Sequence, residues 1–195
     1  MTTHRYDGHV HLVGNGLSGS GCWLRLDGLW HRALGEVMRR TIGLEAKATA
    51  RDFDESFVGH LAGLVAASSM DKALLLAQDE VYEDDGRKMD FGSFYVPNAY
   101  LFKVCDRHPE FVPAVSIHPG RKDALEELER CLAGGARALK LLPNCQNVNC
   151  ALPQYDEFWR RMAASGLPFL CHTGGEMTVP VINRAYQDPR ILRRP

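Results

Sequence analysis

Five short stretches that read as strands, separated by segments of helical periodicity, constrain this chain more than any other feature. They are Arg5–Leu12, Ala73–Ala77, Phe111–Ile117, Arg137–Leu142 and Leu167–His172. Ala73–Ala77 is a continuous apolar run, the mark of a strand covered on both faces, as in a parallel sheet. Parallel strands need crossovers long enough to hold a helix, and the intervening segments supply them. Asp27–Ile42 repeats Leu29, Trp30, Ala33, Leu34, Val37, Met38, Thr41 and Ile42 at helical spacing, and Gly43 ends it. A second helix follows Asp52 or Asp54 as N-cap, with Phe53, Phe57, Leu61, Leu64, Val65 and Ser68 on one stripe. Further helices are predicted over Pro97–Arg107, Asp123–Leu132 and Pro153–Ser165, and a short one from near Val179. Gln78–Phe94 is polar and acidic and reads as a long loop. Strand and helix alternate five times, which predicts an α/β fold with right-handed crossovers.

The polar residues that close these strands carry the chemistry. Alternate side chains of a strand share a face, so in Asp7-Gly8-His9-Val10-His11 the two imidazoles project together with Asp7 one step behind. Paired imidazoles at a strand end suit a divalent metal. His172, which follows four apolar residues and precedes Thr173-Gly174-Gly175, reads as a third ligand. His118, in Ile117-His118-Pro119, either contacts substrate or anchors its turn. Lys140 shares the inward face with Ala138 and Leu142; it can carry a carbamate that bridges two metals, bind a substrate carboxylate, or pair with an acid. Cys171 points to the face opposite His172. A (β/α)₈ barrel builds its active site at this rim, from the C-terminal ends of several strands.

Gly14, Gly16 and Gly19 match GxGxxG. A dinucleotide fingerprint needs a helix opening on the third glycine and a Val/Ile-rich strand before it, whereas here the strand carries Asp7, His9 and His11 and the glycines continue to Gly21. The stretch reads as a loop over the metal site. The composition is that of a globular domain, 45% hydrophobic and 24% charged over 195 residues, and the net charge of −1 implies no basic face for nucleic acid or anionic membrane. The start of the chain has no hydrophobic signal region, and no apolar run approaches the ~20 residues that cross a bilayer. Six scattered cysteines without CxxC spacing fit reduced thiols in a cytoplasmic protein. Cys145 and Cys150 are close enough in sequence to pair or to bind metal. Length predicts a single domain over 1–195. The expected partner is a small-molecule substrate, and the composition is compatible with a homo-oligomer.

Three stretches look familiar together: Asp7-Gly8-His9-Val10-His11-Leu12, Gly135-Ala136-Arg137-Ala138-Leu139-Lys140-Leu141-Leu142-Pro143, and Pro168-Phe169-Leu170-Cys171-His172-Thr173-Gly174. They resemble the amidohydrolase superfamily, and more narrowly the amidohydrolase-related branch that includes aminocarboxymuconate semialdehyde decarboxylase-like proteins. The resemblance implies a metal-dependent TIM (β/α)₈ barrel in which HxH ends strand one and a His ends strand five, both on zinc or a similar divalent ion; these positions are His9, His11 and His172. It also implies a His ending strand six and a proton-transferring Asp ending strand eight, for which the chain has no counterpart. The chain therefore reads as the first five βα units of such a barrel, incomplete at its C-terminus, since a typical barrel takes about 250 residues. Such a piece made alone is expected to be poorly soluble, because its sheet edges are open. The implied reaction is attack of metal-activated water on a carbonyl carbon at a C–N or C–O bond; a decarboxylase with the same ligands and a non-catalytic fragment are the rival readings.

Overall fold

The computed structural model describes residues 5–195. Among the described residues there are seven strands and six α-helices, and the five strands expected, β1, β3, β5, β6 and β7, form one sheet in that order. The chain divides into two compact units, residues 1–75 with 93–112 and residues 76–92 with 113–195, so the division runs through two strands of the sheet.

In the first unit, β1 (Tyr6–His11) leads into a glycine-rich loop and the two-residue β2 (Trp23–Leu24). Helix α1 (Gly28–Thr41) and helix α2 (Phe53–Ala67) follow at the expected places, and β3 (Lys72–Leu76) begins here. β4 (Phe94–Tyr95) pairs antiparallel with β2, Trp23 opposite Tyr95. This ribbon was not anticipated, because two residues are too few to show a period. Helix α3 (Asn98–Arg107) then returns the chain to β5 (Phe111–Val115). Phe53, Phe57, Val58, Leu61, Leu101 and Val104 form the buried core beside the strands. Burying each such side chain contributes on the order of 2 kcal/mol.

Helix α1 forms where its period placed it, yet none of its residues is buried, and Leu29 and Trp30 are 86% and 75% exposed. Hydrophobic period specifies a helix with an apolar stripe; it does not specify that this chain covers the stripe.

In the second unit the C-terminal end of β3 lies beside that of β5: the Ala77 N–H donates to Ala114 O, as the Ala73 N–H donates to Glu110 O within the first unit. The two pairings advance together, so β3 and β5 run parallel. Helix α4 (Ala124–Ala133) joins β5 to β6 (Ala138–Leu141), which pairs parallel with β5 and with β7 (Phe169–Cys171). Between β6 and β7 come the one-turn helix α5 (Pro143–Gln146), a 3₁₀ turn at Pro153–Tyr155 and helix α6 (Asp156–Ser165). Pro143 ends the strand as expected, but it also opens α5, where its fixed φ and missing N–H cost nothing at a first helical turn. α6 stops at Gly166, whose φ of +68° is the left-handed helix end that glycine favours.

The helix expected near Val179 is absent among the described residues; instead 3₁₀ turns form at Arg184–Gln187 and Pro189–Arg193. The side chains of Asn183 and Asp188 accept the Ala185 and Arg190 N–H groups and fix where each turn begins. No described helix is long and apolar enough to cross a membrane.

Candidate metal centre

The HxH pair is built as its spacing requires. His9 and His11 lie two apart on β1, and their Nε2 atoms are 3.1 Å apart with the rings tilted at 57°. Two nitrogens at that separation, each about 2.0–2.1 Å from a common point, subtend about 100° there, which suits ligands of one divalent ion. Asp7 accepts the His9 backbone N–H at 3.0 Å and so holds the local turn of the strand. The His11 ring meets Phe94 edge-on at 6.2 Å, which makes the short β2–β4 ribbon a lateral support for the pair.

The loop after β1 is organised by Asp54 of α2. This fully buried carboxylate accepts from the Asn15 and Gly16 N–H groups at 2.6 and 3.3 Å and from the hydroxyls of Ser18 and Ser20 at 2.9 and 2.5 Å. Of the two cap candidates, Asp52 and Asp54, the cap position falls on Asp52, and Asp54 turns to the loop. Two amides that a pyrophosphate would require are thus spent on a protein carboxylate. Gly16 has φ +77°, and a Cβ there would stand 2.0 Å from the Cys22 carbonyl oxygen, so glycine at this position serves the fold of the loop.

In the second unit, β6 and β7 pair with Lys140 opposite Leu170 and Leu141 opposite Cys171. Alternation then places Lys140, Leu170 and His172 on one face and Cys171 on the other, as expected. Lys140 is only 1% exposed. Burial lowers its amine below the ordinary lysine range, opposed by the neighbouring Cys171 and Glu176, and no described residue hydrogen-bonds to it. A buried amine at a strand end is suited to an anionic group, whether the neighbouring Glu176 or a ligand's.

His172 follows β7. Its Nε2 is buried with no hydrogen-bond partner, and the Glu176 Oε2 is 3.7 Å away. A buried imidazole nitrogen without a partner carries a desolvation cost that a metal bond would remove. Glu176 carries no strand-end signal in the sequence, because it lies beyond the Gly174–Gly175 turn that follows β7. Burial works against its ionisation, but donors from Thr178, Val179 and Met177 outweigh it and hold the carboxyl below the usual range.

His118 ends the extension of β5 and is fully buried. Its Nε2–H donates to Gln146 O at 2.8 Å and its Nδ1 accepts the Gly120 N–H at 3.0 Å, while Tyr82 packs on the ring at 5.1 Å. Of the two roles open to it, this geometry fits anchoring of the turn and leaves no nitrogen for substrate. Burial pushes its pKa down to about 4, so the ring is neutral near pH 7. Beside it Asp79, directly after β3, accepts the His118 N–H at 2.7 Å and pairs with Arg121 at 3.1 Å. Burial pushes Asp79 up to about 6 against the pull of Arg121 and of the His118 and Glu80 amides. Gln146 completes the network, donating to Asp79 O and Ser116 Oγ and accepting the Leu142 N–H. Asp79 obeys the strand-end rule that singled out the histidines, but it lay inside the stretch read as a loop.

All six cysteines are free thiols. Cys145 and Cys150 do not pair with each other; the Cys150 S–H donates to Cys171, and that bond together with burial holds Cys150 above the usual thiol range. Among the described residues no three His, Cys, Asp or Glu side chains gather at one point. The donor set is present as two pairs, His9 with His11 in the first unit and His172 with Glu176 in the second. Imidazole and carboxylate are donors that divalent zinc accepts, so the residues present fit such an ion.

Residues 6–194 match the family model described as Amidohydrolase. No curated protein matches the chain. Among solved structures, an uncharacterized TIM-barrel protein from Bordetella bronchiseptica superposes with TM-score 0.62 at 16% identity, over 96% of this chain and 60% of that one. The 4-oxalomesaconate hydratase of Rhodopseudomonas palustris superposes with TM-score 0.50 at 14% identity, over 86% of this chain and 52% of that one. These likenesses concern the fold, a TIM barrel of which this chain spans little more than half the length. Five strands with crossover helices, histidines at the ends of the first and last strands and a family match across nearly all of the sequence make the chain a member of the amidohydrolase family.

Proposed function

We propose that this chain carries metal-binding strand ends of a hydrolase that uses activated water on a C–N or C–O bond of a small, anionic substrate. The observation that carries the reading is the pair of Nε2 atoms of His9 and His11, 3.1 Å apart at the end of β1. The proposed ligands are His9, His11 and His172, with zinc the first ion to try. A divalent ion supplies Lewis acidity, which brings the pKa of water towards ~7 and polarises a carbonyl. Lys140 contributes a buried positive charge for a substrate carboxylate, and its carboxylation to a bridging ligand is the alternative role.

A second reading, a decarboxylase with the same ligands, draws support from the buried Lys140, because a carboxylate is what such an enzyme removes. The net charge of −1 supports a small molecule rather than nucleic acid or a membrane as partner, and six free thiols support a reducing, cytoplasmic setting. Homo-oligomer formation is part of the proposal to be measured by light scattering.

The test is elemental analysis of the purified chain beside a His9→Ala/His11→Ala variant. The variant is expected to retain less than about a tenth of the wild-type metal, since two ligands are lost. Equal metal content in both rejects the ligand assignment. A panel of amide and ester substrates, read beside carbon dioxide release from carboxylated ones, separates hydrolase from decarboxylase, and no turnover with either marks a non-catalytic portion.

A further inference from the structure

The geometry points to Glu176 as a further metal ligand, its Oε2 sharing one coordination sphere with the His172 Nε2; this rests on the metal-dependent reading above. Two facts set this carboxylate apart from an ordinary loop acid. One oxygen is fully used: Oε1 accepts the Met177, Thr178 and Val179 N–H groups at 2.8, 2.5 and 3.2 Å and the Thr178 hydroxyl at 2.6 Å. These donors come from the residues directly after Glu176, so the carboxylate is clamped by its own turn, with its side chain 12% exposed. The other oxygen, Oε2, is aimed at the His172 Nε2 3.7 Å away.

That separation is too long for a hydrogen bond, and the Nε2 is buried with no such partner. It is the distance expected of two donors on one ion: with bonds of about 2.0–2.2 Å, the pair subtends about 125°, an opening found in distorted four- and five-coordinate sites. Fixing of a ligating carboxylate by donors on its second oxygen is what outer contacts of a metal site do. The clamp therefore orients Oε2, and Thr178 is the positioning residue that closes it.

The experiment is a cobalt(II) titration of the purified chain after chelator treatment, followed by the visible d–d absorption. Glu176→Gln is the informative variant. Its amide oxygen can keep accepting the turn N–H groups, while its NH₂, which cannot bind a cation, replaces Oε2 beside His172. Cobalt affinity is expected to fall roughly 10–100-fold with a changed d–d spectrum. The metal-free melting temperature is expected to hold or rise, because the new NH₂ can donate to the unpartnered His172 Nε2. A purely structural carboxylate would give the opposite: unaltered cobalt binding and a lower melting temperature. Wild-type affinity and spectrum in Glu176→Gln, beside weakened binding in His172→Gln, overturn the Glu176 ligand and leave the metal-dependent function standing. Weaker binding with an unchanged spectrum also overturns it, since Glu176 would then act only through His172. Wild-type cobalt binding in both variants sinks the metal reading itself and this inference with it. Should His172→Gln fail to fold, the Glu176→Gln spectrum decides alone.

Discussion

The imidazole of His118 stays neutral because it is buried and because its Nδ1 is committed to accepting the Gly120 N–H. That has a measurable consequence. Its folded pKa of about 4 lies below the ordinary 6.5, so the unfolded chain takes up a proton first as pH falls. The stability held by His118 is complete above pH 6.5 and is lost as pH falls through 4, a difference of about 3 kcal/mol. Asp79, with its pKa raised to about 6, works in the opposite sense over nearly the same window and flattens the wild-type profile. Comparison with His118→Gln exposes the hidden slope. The variant is expected to cost about 2–3 kcal/mol at pH 7, where two hydrogen bonds of a buried ring are disturbed, and much less at pH 4.5. Urea unfolding at the two pH values measures this; an equal cost at both would mean that His118 is charged in the folded protein.

Elements in this chain differ in how far their neighbours dictate them. The loop after β1 shows this at two glycines. Gly16 and Gly19 both have positive φ, but a Cβ at Gly19 would meet nothing within 4 Å, whereas one at Gly16 would strike the Cys22 carbonyl oxygen. Gly19→Ala should therefore cost about 1 kcal/mol, the price of a left-handed backbone alone. Gly16→Ala should cost roughly 3 kcal/mol or more, since backbone must move. Thermal unfolding of the two variants ranks them, and equal costs would show that the loop relaxes around either. Helix α1 is the contrary case. Its period was legible and its boundaries came within a residue, but its stripe faces solvent, so Trp30→Ser should change stability by no more than about 0.5 kcal/mol. Periodicity reports a local preference of the chain. What covers a stripe is decided by distant segments that leave no mark in the local pattern.

At the scale of the molecule the same division separates what the sequence disclosed from what it hid. The strand order and the helices between strands were legible because both rest on apolar patterns repeated over many residues, and His9, His11, Lys140, His118 and His172 stood out as polar residues closing apolar runs. Glu176 and Asp54 were hidden because their partners are turn amides and hydroxyls, which any sequence supplies. Which strand-end residue is spent on the fold and which is held in reserve also needed coordinates: His118 has both nitrogens bonded, and His172 has one buried and unpartnered. A nitrogen held in reserve makes a thermodynamic prediction. If its desolvation is relieved only by metal, the folded chain binds the ion and the unfolded chain much less, so metal must stabilise the fold by mass action. Zinc at a hundred times its Kd should add about 2.7 kcal/mol. For a chain of this length that raises the melting temperature by roughly 5–10 °C. Chelator should reverse the rise, and a His172→Gln variant should show little of it. A melting temperature indifferent to zinc in the wild type would mean that the His172 imidazole stabilises the fold by itself and that the reserve is only apparent.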